Sequence, residues 1–342
     1  MATRHLVGLD IGSKFVKAVQ LTESSGRFKI TEFGIAEIPP QASVGDVVNE
    51  LFSRKNFRTK RVVSAVSGRF VFVRYISMPV MSDEELVNAA KYELGKYIPV
   101  EVDEVLHDSQ KLEELPPQEG QEPEMRVLLV AAKRTFIDEH VTVVETAGLQ
   151  PAIVDVDSFA LGNAYELSGQ VNPAAVAQGK LVALVDIGAS KTNINIMSDT
   201  VSYFTREFYK GGDDLTDAVS KKLSLDAREA ENLKRNPGGE TEKVGECLGG
   251  VIEDICHDIN ISLDYFENQY DKKVEEVFVT GGASLTTGLP ETLERTVQKP
   301  VNRWTPTQHL ELELSQDSAQ EMQDFPAQAA IALGLASRVR QD

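Results

Sequence analysis

The segment Gly8-Leu9-Asp10-Ile11-Gly12-Ser13-Lys14 recurs in the second half of the chain as Leu184-Val185-Asp186-Ile187-Gly188-Ala189-Ser190-Lys191. Each copy ends an apolar run and precedes a further segment of strand character, so each predicts a β-hairpin with Asp-Ile-Gly at its turn. Two halves opened by one kind of hairpin point to two related lobes. Length agrees, because 342 residues exceed the roughly 250 to 300 at which a single core stops growing.

Such a turn suits phosphate chemistry. Its glycine lets backbone N–H groups approach an anion, its hydroxyl adds a donor, and its carboxylate can hold a phosphate-bound Mg²⁺ through water. A single Asp-x-Gly is also a common β-turn. Two of them facing each other could clamp a polyphosphate between the lobes, with Asp10 and Asp186 on turns outside the core. Gly281-Gly282-Ala283-Ser284 follows the strand Val277 to Thr280, where open α/β sheets place ligands, although it also serves as a sharp strand-to-helix connection. Gly211-Gly212-Asp213 opens a helix and is equally readable as a capping segment. Glu231 and Lys234, three apart on a helix, read as a solvated ion pair.

Between the repeats, residues 6–38 read as an antiparallel meander, extended by strands at 61–66 and 70–78. Ser82 and Glu85 form a capping box for a helix that Pro99 stops. Residues 101–124 carry nine carboxylates against one lysine, with Pro116, Pro117 and Pro123, and read as an exposed acidic loop. Residues 79–148 thus form a candidate inserted α/β module. Residues 244–270 have the length of one long helix, and a final helix runs from Pro326.

Composition narrows the function. A net charge of −18 with no compensating basic block argues against nucleic acid as a partner. No apolar run approaches the ~18 residues of a membrane span, and Asp10 interrupts the start before a signal-peptide core could form, so cytoplasm is the expected compartment. Cys247 and Cys256 fall on opposite faces of a helix and the five histidines are scattered, which leaves no His/Cys metal centre.

In order, the phosphate turn, the inserted module, Asp155-Val156-Asp157-Ser158, the second turn, the Gly-Gly helix, Ala230-Glu231-Asn232-Leu233-Lys234 and Gly-Gly-Ala-Ser resemble the actin-like ATPase superfamily from end to end. Tyr92-Glu93-Leu94-Gly95-Lys96-Tyr97-Ile98-Pro99, followed by Asp103-Glu104-Val105 and Asp108, is similar to a pattern of the PilM family, the actin-like proteins of the type IV pilus assembly platform and relatives of FtsA. The resemblance implies an α/β, actin-like fold of two lobes with an inserted subdomain in the first. Its domains would be 1–78 with 149–180 and 326–342, the insert 79–148, a second-lobe core 181–210 with 258–325, and a helical subdomain 211–257.

The same resemblance implies ATP and Mg²⁺ as cofactors. Asp10, Gly12, Ser13 and Lys14 would grip phosphate with Asp186, Gly188, Ser190 and Thr192, the two aspartates nearest Mg²⁺ and Asp186 also the candidate base for slow or absent hydrolysis. Gly211, Gly212 and Asp213 would line the ribose, Glu231 and Lys234 the adenosine, and Gly281, Gly282, Ala283 and Ser284 the α-phosphate and base. The implied partners are the cytoplasmic N-terminal peptide of PilN, held in a groove between the insert and the first-lobe sheet, and the pilus motor ATPase, with the membrane reached through PilN. An FtsA-type division protein is the alternative and would need a C-terminal amphipathic helix for the membrane, whereas the run from Ala329 reads as a packed helix. A small-molecule kinase of the superfamily would need a substrate site that no motif here supplies.

Overall fold

The structure, a computed structural model, describes residues 4–116, 120 and 122–340. The chain divides into two compact units, Met1–Ala65 with Ala147–Asp342, and Val66–Thr146. The larger unit opens with the expected meander, β1 (Arg4–Ile11), β2 (Phe15–Ser24) and β3 (Arg27–Glu37), all antiparallel. Helix α1 (Val44–Arg54) follows, capped by the Ser43 hydroxyl accepting from the Asp46 N–H and facing inward with Val47, Val48 and Leu51. Strand β4 (Arg61–Val66) then pairs parallel with β1.

The smaller unit is built on β5 (Val71–Pro79), α2 (Asp83–Leu94), β6 (Val105–Glu114), β7 (Glu124–Lys133) and α3 (Arg134–Thr146). Its three strands run in the order β5-β7-β6. This corrects two expectations. Strand β5 does not extend the first sheet: it pairs along its whole length with β7, from Val71↔Ala132 to Pro79↔Glu124, so the insert begins near residue 66 and not at 79. Its inward residues Phe72, Ile76 and Met78 join Leu86, Ala90 and Leu94 of α2 in a separate core. Much of the acidic stretch is strand β6, in which Asp108 and Glu114 are exposed and Lys111 and Glu113 half-buried; Pro117 and Glu119 lie outside the described residues. The expected Ser82–Glu85 capping box on α2 is present.

The chain returns to the larger unit through β8 (Gln150–Val156) and α4 (Asp157–Val171), then makes the second hairpin and its extension, β9 (Leu181–Ile187), β10 (Thr192–Ser198) and β11 (Val201–Phe208). Helices α5 (Gly212–Leu223), α6 (Ala227–Arg235) and α7 (Thr241–Tyr270) follow, then β12 (Glu276–Thr280), α8 (Leu289–Val297), β13 (Val301–Arg303), β14 (Glu311–Leu312), α9 (Gln316–Asp324) and α10 (Ala330–Ala336). Helix α7 is unbroken across residue 257, so a domain boundary at 257/258 would cut a continuous helix. Cys247 and Cys256 are both buried within one core around α7, which packs against both α5 and α8.

The two sheets of this unit repeat one topology. The orders are β14-β3-β2-β1-β4-β8 and β11-β10-β9-β12-β13. In each, an antiparallel meander is joined by a strand parallel to its first member. A shared core of α4 and α10 with side chains from both sheets, among them Leu6, Leu184 and Phe278, binds them together. Every residue of α10 is buried. Its approach is so close that a Cβ on Gly8 would stand 1.9 Å from the Ala332 carbonyl oxygen, and one on Gly334 would stand 1.7 Å from that of Ala160. Among the described residues no helix is long and apolar enough to cross a membrane.

Candidate functional site

Both Asp-Ile-Gly turns open onto one cleft of about 800 Å³ in the larger unit, within the range of small-molecule sites. The register of the first hairpin sets Asp10 opposite Lys17, and Lys17 Nζ donates to Asp10 Oδ2 at 2.8 Å. In the second hairpin the partner of Asp186 is Asn193. Asp10 therefore has a cation directly across its hairpin, and Asp186 has an amide there. Asp157, the first residue of α4, accepts from Lys191 Nζ at 2.6 Å.

These carboxylates shape one another's chemistry. Burial pushes the Asp186 carboxyl up to about 6; Lys17 and Lys191 oppose the shift, while Asp10 and Asp157 add to it. Burial works against the charge on Lys17, but Asp10 at hydrogen-bond distance, with Asp186 and Asp157 behind it, outweighs that and holds its pKa above the ordinary value. Asp10 is only 8% exposed. It is thus buried structure at a strand end, not a residue of a free turn.

Across the cleft, α6 presents Glu231, Lys234 and Arg235. The expectation of a solvated pair is overturned, since the Lys234 side chain is 8% exposed and its ammonium lies 2.7 Å from Glu231 Oε2. Lys234 also donates to the Gly212 carbonyl oxygen at 2.9 Å and to Thr216 Oγ1 at 2.8 Å. Arg235 Nε stands 2.9 Å from Glu231 Oε1, and Lys14 Nζ reaches Glu231 Oε2 at 3.4 Å. Burial would raise the Glu231 carboxyl, but hydrogen bonds from Lys234 and Thr216 and the charges of Lys234 and Lys14 hold it down to about 2.

Most of the residues singled out in the sequence meet here. Asp10, Gly12, Ser13 and Lys14 line the cleft from the first hairpin, and Asp186, Gly188 and Ser190 from the second. Gly212 and Asp213 stand beside Glu231 and Lys234, and Gly281, Gly282 and Ala283 complete the wall. Three do not line it. Thr192 alternates away from its neighbours Lys191 and Asn193 and donates to the Lys210 carbonyl oxygen at 2.9 Å. Gly211 is buried where a Cβ would lie 2.6 Å from the Gly188 carbonyl oxygen, so it allows α5 to dock on the second turn. The Ser284 hydroxyl is buried against the Gly281 carbonyl oxygen.

The amides of Gly212 and Asp213 donate to the carbonyl oxygens of Gly188 and Ala189 at 2.9 and 2.8 Å. The N-terminus of α5 thus braces the second turn. Gly281 is required twice over: its φ is +86°, and a Cβ would stand 2.4 Å from Asp186 Oδ1. Asp157 and Lys191, which belong to the quoted motifs but had no role assigned, line the cleft as well, and so do Lys17, Arg235, Phe325 and Gln328, which no motif marks. Hairpin register could have supplied Lys17, whereas Phe325 and Gln328 reach the site only through tertiary folding.

A family model described as type IV pilus assembly protein PilM matches residues 8–340. The chain belongs to the PilM family. The solved PilM-PilN type IV pilus biogenesis complex is similar to this family member over 98% of both chains, with a TM-score of 0.82 and 25% identity. Cell division protein FtsA of Streptococcus pneumoniae is 22% identical over 353 residues, covering 88% of this chain and 75% of FtsA. MreB 5 of Spiroplasma citri, solved with AMPPNP bound, has a TM-score of 0.53 at 11% identity over 100% of this chain and 97% of its own. The fold of this PilM family member is that of the actin-like ATPases.

Proposed function

We propose that this PilM family protein binds ATP with Mg²⁺ between its two Asp-Ile-Gly turns and acts as a nucleotide-dependent scaffold of type IV pilus assembly. The observation that carries the nucleotide reading is the convergence of both turns, from distant parts of the chain, on one cleft. Ser13, Ser190, Lys14 and Lys17 would face the phosphates, and Glu231 on the opposite wall would accept from ribose hydroxyls. Thr192, Gly211 and Ser284 support the site from behind.

The donor set also suits a hydrated cation. Among the described residues no group of three or more His, Cys, Asp or Glu side chains is placed to chelate a metal directly. Asp10 and Asp186 would hold Mg²⁺ through its water shell, the usual manner for this ion beside phosphates. When bound, Mg²⁺ offsets phosphate charge. Asp186, with its carboxyl raised to about 6 by burial, is ionised at neutral pH and would be the group that orients a water if the protein turns ATP over slowly.

Similarity to the PilM-PilN complex over nearly the whole chain supports PilN as the partner; in this reading the protein would hold the N-terminal peptide of PilN, would reach the inner membrane through it, and would link it to the pilus motor. The FtsA-type reading gains less support, because the matching family model is that of PilM over residues 8–340 and FtsA is 22% identical. The test is calorimetric titration of a PilN N-terminal peptide into the protein, with and without Mg-ATP. Saturable binding that tightens with nucleotide is the expected result. Binding of neither ligand overturns the proposal.

A further inference from the structure

The cationic side chains of the cleft are already committed to carboxylates. Lys14 and Arg235 are paired with Glu231, Lys17 with Asp10, Lys191 with Asp157, and Lys234 with Glu231. Gln328 also lines the cleft, and among the described residues its neutral amide is paired with no carboxylate. It sits on the 3-10 turn Pro326–Ala329 that leads into α10. That turn is fixed to the Gly281 turn, since the Ala327 carbonyl oxygen accepts from the Gly281 N–H at 3.1 Å and from Thr280 Oγ1 at 3.0 Å.

The amide of Gln328 lies over Gly282, where a Cβ would stand 2.8 Å from Nε2 and 3.3 Å from Cδ. The adjacent Gly281 makes the same kind of room for the Asp186 carboxylate. The Gly281-Gly282 pair therefore admits two polar side chains to one stretch of wall, an anion and a neutral amide. The amide oxygen is buried without a hydrogen-bond partner, a placement that costs stability. A residue chosen for packing alone would not carry that cost, and the half-buried side chain lines the cleft beside Gly282, with its nitrogen the amide atom nearest that glycine.

We propose that Gln328 is a nucleotide-contacting residue whose amide nitrogen donates to a phosphate oxygen passing over Gly281-Gly282. The proposal rests on the nucleotide reading of the cleft. A phosphate presents only acceptors, and near Asp186 an uncharged donor serves it without being captured by the carboxylate, as a lysine would be.

The test compares wild type, Gln328→Leu and Gln328→Glu by calorimetry with ATP in Mg²⁺, ATP in EDTA, and adenosine. Leu is expected to weaken ATP about fivefold in both media, the scale of one hydrogen bond. Glu, which replaces the donor by an anion, weakens it further, and adenosine binds all three alike. The melting temperature of the unliganded Leu variant stays level or rises, because an unpaired buried oxygen is removed; a fall would mark a structural role and overturn the proposal. ATP affinity unchanged in both variants, affinity kept by Glu and lost only by Leu in Mg²⁺, or an equal loss for adenosine also overturns it. Wild type that binds neither ATP nor adenosine overturns the nucleotide reading itself.

Discussion

Ser190 Oγ donates a hydrogen bond to Ser13 Oγ over 2.8 Å, joining the turn of one hairpin to the turn of the other. A phosphate seated between the turns takes the place of this bond and can accept from both hydroxyls. Ser13→Ala should lower the stability of the unliganded protein by less than about 1 kcal/mol, because the bond is exposed, while weakening ATP about fivefold. Thermal melts and calorimetry check both numbers. Unchanged ATP affinity would remove the serine pair from the phosphate site.

Asp186 gives the unliganded protein a pH dependence of definite sign. Its carboxyl titrates near 6 in the fold, above the ordinary carboxylate value, so the folded state binds this proton more tightly than the unfolded chain does. Stability should rise as pH falls from about 7 toward 4. Asp186→Asn should stabilise the protein near neutral pH by about 2 kcal/mol and flatten that segment of the profile. Mg-dependent ATP affinity should fall in the same variant. Urea denaturation at several pH values reads the first effect, and a slope identical to wild type would mean that Asp186 is not held protonation-prone.

Substitution at Asp10 should have the opposite effect on stability. Removing its carboxylate leaves the Lys17 ammonium, 16% exposed as a side chain, without its 2.8 Å partner. Asp10→Ala should cost about 3 kcal/mol, and the double variant Asp10→Asn with Lys17→Met should recover much of it. Equal urea midpoints for Asp10→Ala and wild type would show that the pair contributes nothing to folding. Asp186→Asn is accordingly the cleaner variant for binding work.

Gly281→Ala places a methyl group 2.4 Å from Asp186 Oδ1 and 2.5 Å from the Ile187 carbonyl oxygen, at a φ of +86°. A loss of at least about 3 kcal/mol is expected from the combined collision and backbone strain. Gly249→Ala is the matched control, since nothing lies within 4 Å of its Cβ and it sits inside α7. There the change should be neutral or stabilising by up to about 1 kcal/mol. Comparable melting temperatures for the two variants would contradict the packing at Gly281.

Local signals in the sequence were readable to the extent that local physics decides them. The hairpins at Asp10 and Asp186 follow from apolar runs broken by a glycine turn, and the cap at Ser82 from the glutamate three residues on. Partners chosen across distance were not readable. Alternation marks β5 as a strand, but nothing within Phe70 to Met78 says that Met125 to Ala132 will pair with it. Glu231 and Lys234 read as surface charges because burial is conferred by Gly212 and Thr216 on another helix. Gln328 carries no motif, and its standing comes from a buried oxygen that only the folded chain reveals.

The repeated sheets differ at one register position: Asp10 faces Lys17, whereas Asp186 faces Asn193. Two identical hairpins would offer an elongated anion two equivalent ways to lie down, head to either side. A lysine across from one carboxylate and an asparagine across from the other lift that degeneracy. The pseudo-symmetric scaffold thereby acquires a polarity, so a ligand that binds in one sense is disfavoured in the reverse sense before any base or sugar has been recognised.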